Sequence, residues 1–201
     1  TGLLLEMDDY LDGRIQRLTE AELARATQAA SRTLLSNGVT SIQDATHSNS
    51  VDRWKILQAL KADGSFVPRV TLMAGLTHLG EFDREGLEFG SGDEDMSLGH
   101  VKIMLTATTG SLQPSHDDLR QMIAGAHTKN FPVAIHAVER DAVDAATDAL
   151  LMARSGRPRN TLRDRIEHCS ECPPEVMRRL ARSGIIVVTQ PALLYERGGT
   201  Y

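Results

Sequence analysis

Two cysteines in 201 residues cannot build a disulfide framework, so a reducing, cytoplasmic setting is expected. Aromatic residues are sparse at 4%, and a core must therefore be assembled from Leu, Val, Ile, Met and Ala. Lys and Arg form no run, and 22 basic against 27 acidic residues leave a net charge of −5. Nucleic acid is set aside as a partner, because phosphate recognition needs clustered positive charge. No uninterrupted apolar stretch approaches the roughly 20 residues of a membrane span, so no membrane partner is expected. No signal-peptide pattern opens the sequence either. No Gly-x-Gly-x-x-Gly follows any strand-like run, which argues against a dinucleotide-binding sheet.

What is present is a regular alternation. A hydrophobic fraction of 41% suits a soluble globular protein, and the length suits one domain or a large part of one. Residues 1–18 read as irregular, because Gly2, Gly13 and the acidic residues interrupt any period. From Thr19 onward the chain cycles. Thr19 and Glu22 fit a capping box, Leu23, Ala26, Ala30 and Leu34 recur at helical spacing, and Gly38 stops the helix. A β-rich run at 39–45, a helix from Val51 to Gly64 and a strand at 67–75 follow. Residues 77–92 then read as a long polar loop.

The cycle resumes with a strand at 100–105 and a helix opened by Ser115 and Asp118. The run Phe131-Pro132-Val133-Ala134-Ile135-His136 comes next, with a helix over about 140–153 and a loop at 155–160. A strand at 164–168 precedes a helix led by Pro173 and Pro174 and stopped by Gly184, and a last strand runs over 185–190. Strands thus begin near 39, 67, 100, 131, 164 and 185, each separated by one helix. Such alternation predicts a parallel α/β sheet, since parallel strands need helical crossovers. Residues 19–201 give six βα-type units, two short of a closed (β/α)8 barrel. The chain opens on Thr1 and ends at Tyr201 just after a strand-like run, and it reads as a piece of something longer.

Chemistry gathers at the strand ends: Asp44 and His47, then His78, Lys102 inside the third strand, His136 and His168. A barrel collects such ends around one mouth. Neutral imidazole is the commonest ligand of zinc-like ions, and catalytic sites use three protein ligands with an open position for water. A single strand-end histidine is also consistent with an ordinary hydrogen-bonded surface residue. Lys102, in an apolar strand, needs a partner or a modification, since a bare buried ammonium is costly. A salt bridge to Asp44 or another acid satisfies that need equally well. Cys169-Ser170-Glu171-Cys172 has redox or zinc spacing, but no second pair accompanies it. Ser111, Ser115 and Ser170 lack a nucleophile-elbow context, and the acidic stretch 81–95 reads as solvated.

These residues resemble the amidohydrolase superfamily, in the branch related to N-substituted formamide deformylase. The similarity lies in Gly38-Val39-Thr40-Ser41-Ile42-Gln43-Asp44, His100-Val101-Lys102-Ile103-Met104-Leu105, Val133-Ala134-Ile135-His136-Ala137, Arg165-Ile166-Glu167-His168-Cys169 and Val188-Thr189-Gln190-Pro191. The Lys102 stretch through Thr109 is also similar to that of dihydroorotases, where the lysine is carboxylated and bridges two metals. The resemblance implies a partial (β/α)8 TIM barrel over 1–201, supplying strands two to seven of the family barrel. It implies Lys102, His136 and His168 as catalytic metal ligands, with zinc or a similar divalent ion, one or two in the intact parent. It further implies a metal-activated water attacking the carbonyl of a small-molecule amide or other C–N substrate.

Two departures qualify the resemblance. The family's His-x-His pair occurs nowhere in this sequence, and its strand-eight aspartate has no counterpart. A weak or inactive catalyst is therefore expected of this chain alone. Unpaired parallel edges favour homo-oligomers. A Schiff-base lyase using Lys102, and a non-catalytic structural barrel fragment, stay open on the residues alone.

Overall fold

The computed structural model describes residues 14, 18–107, 110–154, 163–192 and 195. The irregular segment expected at 1–18, apart from Arg14 and Leu18, and the loop expected at 155–160 lie outside the described residues.

The first helix, α1 (Glu20–Ser36), starts where the sequence places it. The Thr19 hydroxyl accepts the Glu22 N–H at 3.3 Å, and the Glu22 carboxylate accepts the Thr19 N–H at 2.9 Å. Gly38, at φ +76°, turns the chain out of the helix in a conformation that costs an L side chain energy. The following elements are β1 (Ser41–Asp44), α2 (Val51–Ala62), β2 (Arg69–Gly75), a 3-10 turn (Leu76–His78), α3 (Leu79–Arg84) and β3 (Met96–Met104). After them come α4 (His116–Thr128), β4 (Val133–Ala137), α5 (Arg140–Arg154), β5 (Arg165–His168), α6 (Pro174–Ser183) and β6 (Ile186–Val188).

All six strands are parallel, and their order in space is their order in sequence. A doubly wound sheet reverses its strand order at a switch point, and this one never does. The sheet also curls. The Arg165 guanidinium on β5 lies 3.7 Å from Met73 Sδ on β2, across two intervening strands. A flat sheet would hold those strands about 14 Å apart, three steps of ~4.8 Å. The architecture is a partial (β/α)8 barrel.

Alternation sorts the strand side chains onto two faces. Leu72, Ala74, Val101, Ile103, Val133, Ile135, Ala137 and Ile166 belong to the buried core formed with Leu119 and Ile123 of α4, Ala142, Val143 and Leu150 of α5, and Val176 and Leu180 of α6. The residues between them line the concave face, which therefore carries Lys102, His136, Arg165 and Glu167.

Two expectations need correction. The 77–92 stretch is not simply a polar loop, because the 3-10 turn and α3 lie within it and bury Leu79 and Phe82. Two apolar residues three apart form one helical turn, too short a period to stand out among glycines and acids. The third strand begins at Met96 rather than at 100, and its register with β2 shifts between Leu72 and Ala74. Gly99 lies at this irregularity, where a Cβ would fall 2.7 Å from Thr71 Cγ2. The last strand is shorter than expected, ending at Val188.

Beneath the strands, Asp164 ties several elements together. It is fully buried and accepts the Val133 N–H at 3.1 Å, while His127 Nε2 lies 2.9 Å and Arg154 Nε 3.6 Å away.

Candidate cation site at the strand ends

His136 occupies the concave face near the end of β4, its neighbours Ile135 and Ala137 facing the helices. Strict alternation would turn His168 the other way. Its register partner is Ala137, and Ile166 two residues before it lies in the helix-side core. The backbone overrides this, since His168 takes φ +71° and Cys169 φ +52°. Left-handed conformations are uncommon for side-chain-bearing residues. The result is that the His136 and His168 rings meet with centroids 4.7 Å apart, inclined at 69°.

His136 is prepared as a neutral donor. Burial first, then the charges of His168 and Lys102, lower the His136 pKa to about 4, although Glu139 opposes the shift. At neutral pH His136 therefore carries a lone pair. His168 Nδ1 lies 2.8 Å from Gln190 Oε1, so the Nδ1–H donates to the amide oxygen and Nε2 is the ring nitrogen left to face a ligand. Fixing one ring nitrogen this way orients a metal-binding imidazole.

Lys102 lies on the same face, 4% exposed, and its charge acts on His136. Glu167, rather than Asp44, is the acid whose charge acts on Lys102. Burial pushes the Lys102 pKa down, the Glu167 carboxylate opposes that shift, and Arg165 adds to it. Arg165 and Glu167 are themselves buried, with Nε and Oε1 2.5 Å apart. These three residues comprise two cationic side chains and one carboxylate, +2 − 1 = +1 with Lys102 protonated. A neutral or anionic Lys102 removes that surplus.

The other strand-end candidates stay apart. Asp44 accepts the Thr46 N–H at 3.0 Å and shapes its own loop. His47 is exposed, and its carbonyl packs so closely on β2 that a Cβ at Gly75 would fall 2.5 Å from it. His78 Nδ1 lies 2.8 Å from Glu81 Oε1, within the same turn of chain. His100 Nε2 lies 2.9 Å from the Arg163 carbonyl, which precedes β5 and so marks the opposite end of the strands. Ser115 caps α4 by accepting the Asp118 N–H. Burial and the adjacent Cys172 push the Cys169 thiol up to about 12.

Three contributors were not legible in the sequence as site residues. Gln190 holds a histidine 22 residues away, and Arg165 and Glu167, paired with each other, act on Lys102 from another strand. Glu139, just past β4, is a fourth neighbour, accepting the Thr106 hydroxyl at 3.2 Å. Among the described residues no group of three or more His, Cys, Asp and Glu gathers as a metal set.

Comparison with known proteins agrees with this fold. The fold matches a metal-dependent hydrolase from Pyrococcus furiosus with TM-score 0.73 at 21% identity, over 92% of this chain and 41% of that one. A metal-dependent hydrolase from Pyrococcus horikoshii OT3 gives TM-score 0.74 at 19% identity, over 89% and 39%. Guanine deaminase from C. acetobutylicum, solved with guanine in its active site, gives 0.50 at 12%, over 96% and 49%. The chain thus spans about two fifths of the length of the first two structures. Among curated protein sequences nothing matches. The model of the amidohydrolase family matches residues 1–201 throughout, and the chain belongs to that family.

Proposed function

We propose that this chain supplies the cation-binding strands of a metal-dependent hydrolase that opens amide or related C–N bonds in a small-molecule substrate. The observation that carries the reading is the contact of His136 and His168, two imidazoles at the ends of adjacent strands with rings 4.7 Å apart. Family membership supports the same conclusion.

The donor set fits a zinc-like divalent ion. His136 offers a neutral nitrogen lone pair, His168 its Nε2, and Lys102 is the third donor. When bound, such a cation supplies Lewis acidity toward a carbonyl oxygen and a water molecule. The chain's own residues prepare for it. Gln190 holds the His168 proton on Nδ1. Burial keeps His136 unprotonated. Carboxylation of Lys102 on Nζ would turn a buried cation into an anionic oxygen ligand and leave Arg165 as its counter-charge, reversing the +1 surplus of the concave face.

Zinc titration followed calorimetrically tests this reading. The wild-type chain is expected to bind one ion per chain, and His136→Ala and His168→Ala each at least about 10-fold more weakly. Unchanged stoichiometry and affinity in both variants would overturn it. Preparation in 13C-bicarbonate should give a carbamate carbon resonance that Lys102→Arg abolishes.

A further inference from the structure

The Cys169-x-x-Cys172 pair has no part in the cation site, yet it forms the base on which His168 is mounted. Cys169 follows His168 directly and shares its left-handed backbone. Its N–H donates to the Ala137 carbonyl at 2.9 Å and the Glu167 carbonyl at 3.0 Å. Ser170 and Glu171 then make a tight turn, and Cys172 leads through Pro173 into α6. The cysteines are the two ends of that turn. Turn ends lie within about 7 Å of each other, and disulfides span Cα separations of roughly 4.4–6.8 Å. The Cys172 thiol adjoins that of Cys169, and its Sγ lies 3.9 Å from the Pro173 carbonyl oxygen. Both cysteines are reduced, Cys169 buried and Cys172 half-buried.

We propose that Cys169 and Cys172 form a reversible intramolecular disulfide, exchanged with low-molecular-weight disulfides, that locks the turn carrying His168. The more accessible Cys172 loses its proton and its sulfur attacks one sulfur of glutathione disulfide, releasing one glutathione. The Cys169 sulfur, losing its proton in turn, attacks the Cys172 sulfur and releases the second. Two protein thiols give up two protons and two electrons, and one glutathione disulfide becomes two glutathiones. Burial of Cys169 makes the second displacement the slow one. Because the thiols are already in contact, closure needs little movement of the backbone. The bond then clamps a conformation that the reduced chain holds with hydrogen bonds alone. It stands independently of the hydrolase reading.

The test equilibrates the full, metal-free chain across a series of glutathione to glutathione disulfide ratios. The samples are quenched in acid, and remaining thiols are alkylated with N-ethylmaleimide under denaturing conditions and counted by mass. The expected result is two populations, one with two maleimides and one with none and no glutathione, exchanging at a single ratio. Histidine ring NMR of the same samples should shift His168 and leave the distant His127 unmoved. Two maleimides at every ratio, or glutathione adducts in place of the internal bond, would overturn the disulfide. An unmoved His168 resonance in the oxidised chain would overturn the clamp.

Discussion

Lys102, His136 and His168 stood out in the sequence because Lys102 lies inside an apolar strand and each histidine closes an apolar strand-like run. The direction of His168 did not. Alternation from Ile166 turns it toward the helices, and only the left-handed backbone brings it to His136. No local signal announces that conformation, since the residue is not glycine. Gln190, 22 residues away, was equally invisible as a partner. Its role is open to measurement. Gln190→Ala releases the His168 tautomer and is expected to weaken zinc binding about 10- to 100-fold in a competition titration with a chelator. Protonation gives a second test. The His136 pKa, about 4 when folded, lies below its ordinary 6.5. As pH falls the unfolded chain takes up this proton first, so the metal-free protein loses stability from about pH 6.5 down to about pH 4, and no further on this account below that. In urea unfolding across this range, His136→Gln should lose less stability than the wild type.

Elements were legible where chemistry punctuates them. The Thr19 capping box, the Ser115 cap and the left-handed glycines Gly38 and Gly184 mark helix boundaries that the structure reproduces. The helix Leu79–Arg84 escaped because a single turn leaves no period, and Phe82 is buried by tertiary packing alone. Asp164 escaped as well. Read as the first residue of a strand, it proves to be the fully buried acceptor that joins α4, α5 and β4 through His127, Arg154 and the Val133 N–H. Removing one partner from a buried charged cluster strands the others. Asp164→Ala is expected to cost about 3–5 kcal/mol, read as a lowered urea midpoint with unchanged slope. A midpoint within experimental error of the wild type would show that the cluster does not anchor the sheet.

At the scale of the molecule, strand count and parallel direction followed from six helix-separated apolar runs, because parallel strands need helical crossovers. What the pattern left open was open sheet against barrel, and the curl that carries Arg165 to Met73 decides it. No helix among the described residues is long and apolar enough to cross a membrane. The curl also gives the site its character, since it turns one face of the sheet inward and gathers Lys102, His136, Arg165 and Glu167 there. The central claim is that this concave face, and not the nearby cysteine pair, grips a cation. X-ray absorption at the zinc edge of the zinc-loaded chain tests it most directly. The account predicts two imidazole nitrogens at about 2.0–2.1 Å and no sulfur, whereas thiolate scattering at about 2.3 Å, or fewer than two imidazoles, would contradict it.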